Sequence, residues 1–524
     1  MILSIKNGTT EKSSINIGTS FYTMFYFLLL IMSFGCAEKL DDTDNDNNKE
    51  LSLKSYINSS LIVPTAYSSN LSDEVNLVMA KGEIESFQLA LELDELQKLE
   101  FIKNSENNLL NFSLSEIENY NGARDVIVPI DDETFAPTNK TIYLLGTYEA
   151  DRAIEAGTYE DELIIQSYSG KKTITITVEV KDVTIPVTPS IPLTFGIYQK
   201  VLTTSTNQEE IINKRKEYFE LCFKNRLSPY LVNWGPPDMH LDVQSSPYDW
   251  DDPRTEDYIK DPRFAAIGLP YYHYNDEELT QLYNKVESAG LLNKSYVYYY
   301  DEPRSYEDHA KVLDHAERLS TISPTLKIQL PVFCGMTAES DNLIEVFEYY
   351  KEYPLIINSG YYPLQSSEER AKQYLEKAYP NQEWWTYTCC GVKPGFTYNT
   401  SAIGMRSMMW RSWKEQSKGF LYWAVNNYES IDPDVIPTWA KPGDGHLIYR
   451  GHEFGKDYPV STLRLERFRD GEEDYELLKM IEQNFGRTKA LELLSKVYQG
   501  PNQQVENPAK VEQFRLEMLN LLSE

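Results

Sequence analysis

Residues 185–192, IPVTPSIP, separate two different rhythms of the chain, and that change constrains the fold more than any other feature. Three prolines in eight residues fix φ and remove backbone donors, so the segment reads as a stiff linker. Before it, from about residue 60, short β-type runs are divided by turn signals: EVNLVMA, ESFQLALEL, VIVPI, TIYLLGTY and TYEDELIIQSY. In TITITVEVKDV apolar and polar residues alternate strictly, the pattern of a half-buried antiparallel strand. Many short strands with no long helical pattern between them predict an N-terminal β-sandwich over residues 59–188.

After the linker, apolar strand-like runs alternate with helical segments. The runs are LTFGIYQ, SPYLVNW, FAAIGLPYY, SYVYYYDEP, KIQLPVF, LIINSG, EWWTYTCC and GFLYWAVNNY. Between them, stretches such as EELTQLYNKVESAGLL and YEDHAKVLDHAERLST repeat apolar residues at helical spacing. Eight strands with intervening helices predict a (β/α)8 barrel over residues 189–435. Residues 436–524 then read as a loop and C-terminal helices packed on the barrel.

Composition limits the partners. The chain has 524 residues, with 80 acidic against 50 basic side chains and a net charge of −30. Such a surface repels phosphate backbones, which argues against nucleic acid. Tyrosine, at 38 residues, and tryptophan, at 8, are plentiful and supply flat amphipathic faces of the kind that bind sugar rings. Residues 1–35 read as a signal peptide: the apolar run FYTMFYFLLLIMSFG is short for a membrane span. SFGC at 33–36 resembles a lipobox, with Cys36 the lipidated residue. The acidic stretch that follows makes 36–58 a solvated tether. The expected location is the bacterial cell envelope, on the outer-membrane surface or in the periplasm. The other cysteines, at 222, 334, 389 and 390, are too few for a disulfide scaffold. No spacing in the chain matches a metal site, so neither a metal nor a cofactor is expected.

In such a barrel, chemistry gathers where strands end at their carboxyl edge. The fourth run ends in Tyr300-Asp301-Glu302-Pro303-Arg304, two carboxylates at the end of an apolar strand. Glycosidases ordinarily use two carboxyls across the scissile bond, yet the sixth and seventh runs end in Asn358-Ser359-Gly360 and Thr388-Cys389-Cys390-Gly391, without an acid. Glu429, in the loop after the eighth run, is an alternative nucleophile. Without an opposed acid, a 2-acetamido sugar can supply its own carbonyl oxygen. Asp301 then orients the amide and stays ionised, while Glu302 serves as acid and then base, its pKa raised by the neighbouring charge and apolar walls.

The stretches MAKGEIESFQLALEL, AGTYEDELIIQ, VTIPVTPSIPLTFGIY, YVYYYDEP, GFLYWAVNNY, GDGHLIYRG and STLRLERFRDGEEDYELLKMI occur in that order. In them the chain resembles glycoside hydrolase family 123, retaining β-N-acetylgalactosaminidases that use substrate assistance. The resemblance implies removal of β-linked N-acetylgalactosamine from an oligosaccharide or glycoconjugate. It also implies the stabilising role for Asp301 and the acid/base role for Glu302.

Trp423 is a candidate floor for the sugar ring, and Asn426 a candidate partner for hydroxyls. Tyr387 could donate to the acetamido oxygen. Asn233, Trp234, Tyr271 and His273 complete the candidate pocket, although packing or turn roles would also account for each. Arg464, Arg467, Arg469 and the acids of DGEED read as ion pairs joining the last helices to the barrel. A glycan-binding lipoprotein without turnover, or a glycosidase for another sugar using Glu429, remain alternatives at this stage.

Overall fold

The structure, a computed structural model, describes residues 51–427 and 442–524, apart from 52, 65–70, 105–106, 121, 133, 235–240, 334, 341, 365–366 and 390–392. The signal peptide, Cys36 and Glu429 lie outside the described residues, as do Cys334 and Cys390.

The first strands are β1 (Leu53–Ser59), β2 (Glu74–Lys81), β3 (Ile84–Leu93), β4 (Glu100–Asn104), β5 (Leu110–Tyr120), β6 (Ala123–Pro129), β7 (Thr141–Ala150), β8 (Gly157–Ser167) and β9 (Gly170–Thr184). They form two sheets, one ordered β1-β3-β7-β5-β6 and the other β2-β9-β8-β4. Ile174, Ile176, Val178 and Val180 of the alternating strand β9 face inward and share one core with Leu89, Leu91, Leu144 and Tyr148 of the opposite sheet. Period-two burial of β-branched residues is what fixes this register. The tether boundary needs correction. Residues 53–58 were expected in a solvated leash, but they form β1, paired with β3 from Leu53↔Leu93 to Ser59↔Phe87. In LKSYINS, Leu53, Ser55 and Asn58 are buried, so the residues before 59 belong to the sheet.

After the linker come β10 (Leu193–Tyr198), α1 (Gln208–Lys224), β11 (Ser228–Trp234), β12 (Leu241–Gln244), α2 (Arg254–Tyr258), β13 (Ile267–Gly268), α3 (Asp276–Ser288) and β14 (Ser295–Val297). Then follow α4 (Tyr306–Ile322), β15 (Lys327–Val332), α5 (Ile344–Tyr349), β16 (Leu355–Gly360), α6 (Tyr361–Leu364), α7 (Glu368–Lys377), β17 (Gln382–Tyr387), α8 (Ala402–Glu415) and β18 (Phe420–Tyr422). The chain ends with β19 (Ser461–Thr462), α9 (Leu463–Phe485), α10 (Arg487–Leu494) and α11 (Pro508–Ser523).

The second sheet system has the order β12-β11-β10-β18-β17-β16-β15-β14-β13 and is parallel except for β12. It departs from a plain eight-strand ring. The antiparallel β12 sits beside β11, and the two end strands meet through Ser245 N–H to the Gly268 carbonyl at 2.8 Å. Leu241 N–H also reaches the Tyr299 carbonyl at 3.3 Å, which draws the edges together. Inside the curl lie Tyr230, Tyr296, Tyr298, Trp385 and Tyr387, an aromatic filling; outside it, the helices cover a second apolar shell.

The C-terminal region packs on more than the parallel sheet. Ser461–Thr462 pairs with β6 and extends the first sheet, and Arg515 of α11 pairs with Glu83 and Glu85. Helix α9 is buried over most of its polar sequence. Buried charges call for partners: Arg464 pairs with Asp125, Asp474 with Arg406 and Glu472 with Arg226, while Arg467 donates to the Ser60 and Ile62 carbonyls. The ion-pair set therefore runs from α9 to the two-sheet region as well as to the parallel sheet.

Candidate active site

Regular pairing of β14 stops at Val297, and Tyr298–Asp301 continue as buried or half-buried chain toward the N-cap of α4, Ser305, whose hydroxyl accepts the Asp308 N–H. Asp308 fastens this turn by accepting the Tyr300 and Ser305 hydroxyls at 2.8 Å each. Within the turn Glu302 has φ +47°, a left-handed conformation uncommon for a side-chain-bearing residue and typical of functional sites.

The two carboxylates are held separately. Tyr298 donates to Asp301 Oδ1 at 2.8 Å. Glu302 accepts from Tyr387 at 2.7 Å on Oε1 and from Arg304 at 2.7 Å on Oε2. Tyr387 reaches that far because Gly360 of the adjacent strand has no Cβ; one there would lie 3.2 Å from the tyrosine ring. Burial, then the charge of Glu302, pushes the Asp301 carboxyl up to about 7. An Asp301 that simply stays ionised does not match the structure: its side chain is set against the tyrosine-lined interior, which favours the protonated form.

Trp423 is half-buried after β18, its ring edge-on to Tyr198 at 6.1 Å. The GDG turn shapes its seat: Gly445, at φ +76°, lies so close that a Cβ would be 2.6 Å from the indole. Asp444 accepts the Tyr422 hydroxyl at 2.8 Å, and that oxygen in turn receives the Gly445 N–H at 2.6 Å. His446, buried, reaches the Asn427 carbonyl at 2.7 Å, and burial lowers its pKa to about 4.

Other predicted pocket residues are used differently. Asn426 accepts from the Tyr198 N–H at 2.8 Å and donates to the Tyr198 carbonyl at 3.2 Å, tying β10 to the loop after β18. Both ends of its amide are engaged, so it is a positioning residue and not a free hydroxyl partner. Tyr271 faces away from the interior: its hydroxyl meets His315 Nδ1 of α4 at 3.0 Å and its ring packs on Tyr299. Side chains alternate along extended backbone, and Tyr271 falls on the outer face. His273 is exposed beside Tyr272. Asn233 accepts from Gln199 at the end of β10. The Trp234 side chain lies outside the described residues.

The sequence reading missed Tyr298 and Tyr198, and also Asp242. Asp242 is buried in β12 and accepts the Tyr271 N–H at 3.0 Å; burial raises its pKa to about 6. The tyrosine run 298–300 was visible, but that Tyr298 alone turns inward past the end of the ladder was not. Among the described residues, no group of three His, Cys, Asp or Glu side chains is placed to hold a metal ion.

A turn offering two adjacent carboxylates, each held by a tyrosine of an aromatic-lined sheet, suits cleavage of a sugar acetal. The family model "Glycoside hydrolase 123, catalytic domain" matches residues 219–481, half of the chain. The chain belongs to glycoside hydrolase family 123. A glycosidase acting on glycans is the activity that this membership implies. The fold of a family 123 glycoside hydrolase from Clostridium perfringens, described for its hydrolysis of glycolipid glycans, is similar. The two superpose with a TM-score of 0.61 at 14% identity, over 90% of this chain and 97% of that one. A putative α-galactosidase/melibiase from Bacteroides fragilis matches at a TM-score of only 0.22 and 10% identity, over 72% of this chain and 66% of its own, too distant to bear on the fold. No curated protein sequence matches the chain.

Proposed function

We propose that this family 123 enzyme removes β-linked N-acetylgalactosamine from oligosaccharides or glycoconjugates, with retention, through an oxazolinium intermediate. The observation that carries the reading is the pairing at one turn: Asp301 and Glu302 are adjacent, each held by its own tyrosine. Among the described residues, Glu302 is the one other carboxylate whose charge bears on Asp301.

In the resting site burial favours the protonated form of Asp301. An acetamido N–H presented to Asp301 favours the carboxylate there and leaves the proton to Glu302. The acetamido oxygen then attacks the anomeric carbon while Glu302 protonates the leaving oxygen. Asp301 offsets the positive charge that develops on the ring nitrogen. Glu302, now anionic, takes a proton from the water that opens the oxazolinium. Tyr387 keeps Glu302 aimed at the glycosidic oxygen, and Trp423 offers a face to the sugar. The galacto preference follows the family resemblance.

The same reading treats the parallel sheet as a (β/α)8 barrel modified by β12, buttressed by a β-sandwich, and places the enzyme at the cell envelope on a lipid at Cys36. Loss of lipid labelling in Cys36→Ser would support the anchor; labelling that survives would exclude it. The function is tested with thiazoline mimics of the intermediate in galacto and gluco form. The galacto compound should inhibit at least about tenfold better, a 1.4 kcal/mol preference. Absence of inhibition by either would overturn the mechanism, and equal inhibition would overturn the galacto assignment.

A further inference from the structure

One carboxylate brackets the catalytic turn from outside it. Asp308, in the first turn of α4, accepts the Tyr300 hydroxyl at 2.8 Å on Oδ1. On Oδ2 it accepts the Ser305 hydroxyl at 2.8 Å and the Arg304 N–H at 3.3 Å. A single side chain thus ties the chain both before and after Asp301–Glu302. The Arg304 carbonyl is held in turn by the Ala338 N–H at 3.1 Å, and the Arg304 guanidinium reaches Glu302 Oε2 at 2.7 Å.

Helix capping does not account for this pattern. Helix α3 has a complete capping box: Asn275 accepts the Glu278 N–H at 3.0 Å, and Glu278 accepts the N–H of Asn275 itself at 2.9 Å. Asp308 holds the same third helical position in α4. Its carboxylate instead reaches residues 300 and 304, both outside the helix.

The bracket holds a conformation that needs holding. Glu302 sits at φ +47°, where a side chain crowds the backbone, and such residues persist only when their surroundings over-determine them. Burial opposes the charge on Asp308, but the Ser305 hydroxyl, then that of Tyr300, hold its carboxyl down at about 2. Asp308 is therefore an anion near neutral pH, and a charged acceptor makes the stronger hydrogen bonds.

We infer that Asp308 is a positioning residue for the reaction: by fixing the chain on either side of Asp301–Glu302, it aims Glu302 at the leaving oxygen. The inference rests on the acid role proposed for Glu302. Proton transfer to a leaving group depends steeply on that aim. Departure of an aglycone that needs no proton does not.

Values of kcat/KM for two substrates of the full chain test this: a β-linked 2-acetamido disaccharide and the 2,4-dinitrophenyl glycoside of the same sugar, whose aglycone departs unprotonated. Asp308→Ala should lower kcat/KM for the disaccharide at least about tenfold, and for the dinitrophenyl substrate less than about twofold. Tyr300→Phe, which removes one of these bonds and keeps the ring, should act in the same sense by about threefold. Asp308→Asn, which keeps an acceptor oxygen, should recover part of the loss. Glu278→Ala, which opens the box of α3 without touching the turn, should leave both values unchanged. Equal losses on the two substrates, or a comparable loss in Glu278→Ala, would overturn the positioning role. So would unchanged disaccharide cleavage in both Asp308→Ala and Tyr300→Phe. Wild-type protein that cleaves neither substrate would instead defeat the glycosidase reading, and this role with it.

Discussion

Tyr387, at the end of β17, donates its hydroxyl to Glu302 at 2.7 Å, joining two strand ends 85 residues apart in sequence. The contact exists because the intervening strand ends in Gly360, whose missing Cβ leaves room for the ring. A phenol aimed at a carboxylate in an apolar setting fixes where that carboxylate points, and aim matters for an acid that must meet one particular oxygen.

Tyr387→Phe keeps the ring and removes this hydrogen bond. The expected result is a fall in kcat of about 10–100-fold with KM nearly constant, since the bond acts on the reacting group and not on substrate affinity. Steady-state kinetics on an aryl 2-acetamido-galactoside measures it. An unchanged kcat would mean that Glu302 is aimed by other contacts.

Asp301→Asn should lose most activity yet stabilise the fold at alkaline pH. Asp301 has its folded pKa raised to about 7, against an ordinary value of 3.8. Between these values the folded state holds a proton that the unfolded state has released, so stability declines as pH rises through that window. At pH 5 the unfolded wild-type chain has already released this proton, so asparagine should gain about 1–2 kcal/mol. By pH 8 the window is crossed and the gain should reach about 4 kcal/mol. Thermal melts of both proteins at the two pH values read the difference directly.

Gly445→Ala places a methyl against the Trp423 indole at a backbone φ of +76°. The conformation alone costs about 1 kcal/mol for an alanine, and the clash displaces the ring offered to the sugar. KM should rise several-fold while the Tm falls by a few degrees. Intact KM with lowered Tm would remove Trp423 from substrate contact.

Asp125→Ala leaves Arg464 buried without its carboxylate partner, to which it now donates at 2.9 Å. Arg464 also bonds the carbonyls of Phe396, Gly443 and His446, so it supports the GDG turn as well as the join to the first sheet. Breaking one side of a buried pair costs about 3–5 kcal/mol. Denaturant titration should show that loss, and Asp125→Asn should recover part of it.

What the sequence made legible follows from periodicity. Strict alternation in β9 and the eight apolar runs after the linker are local signals, and each became a strand. The antiparallel β12 was not legible, because LDVQ is only four residues long and lies in no clear pattern. Helix α9 carries no apolar stripe that would reveal its central place. It is buried by ion pairs to partners hundreds of residues away, and sequence spacing does not record those.

At the candidate site, Asp301 and Glu302 were legible as adjacent acids at the end of an apolar run. Asn426 and Tyr271 were misread because residue type suggested sugar contact, whereas direction decides it: one is turned to the Tyr198 backbone and the other to α4. Tyr298 was hidden within a run of three tyrosines of which it alone faces the interior, Tyr299 and Tyr300 both turning to α4.

The most direct test compares hydrolysis of p-nitrophenyl β-galactosides with and without the 2-acetamido group. If the substrate's own carbonyl is the nucleophile, only the acetamido sugar should turn over, with kcat/KM greater by at least about a thousandfold, in line with a nucleophile held in place. Comparable hydrolysis of the plain galactoside, together with a glycosyl group trapped covalently on a protein carboxylate, would contradict the account.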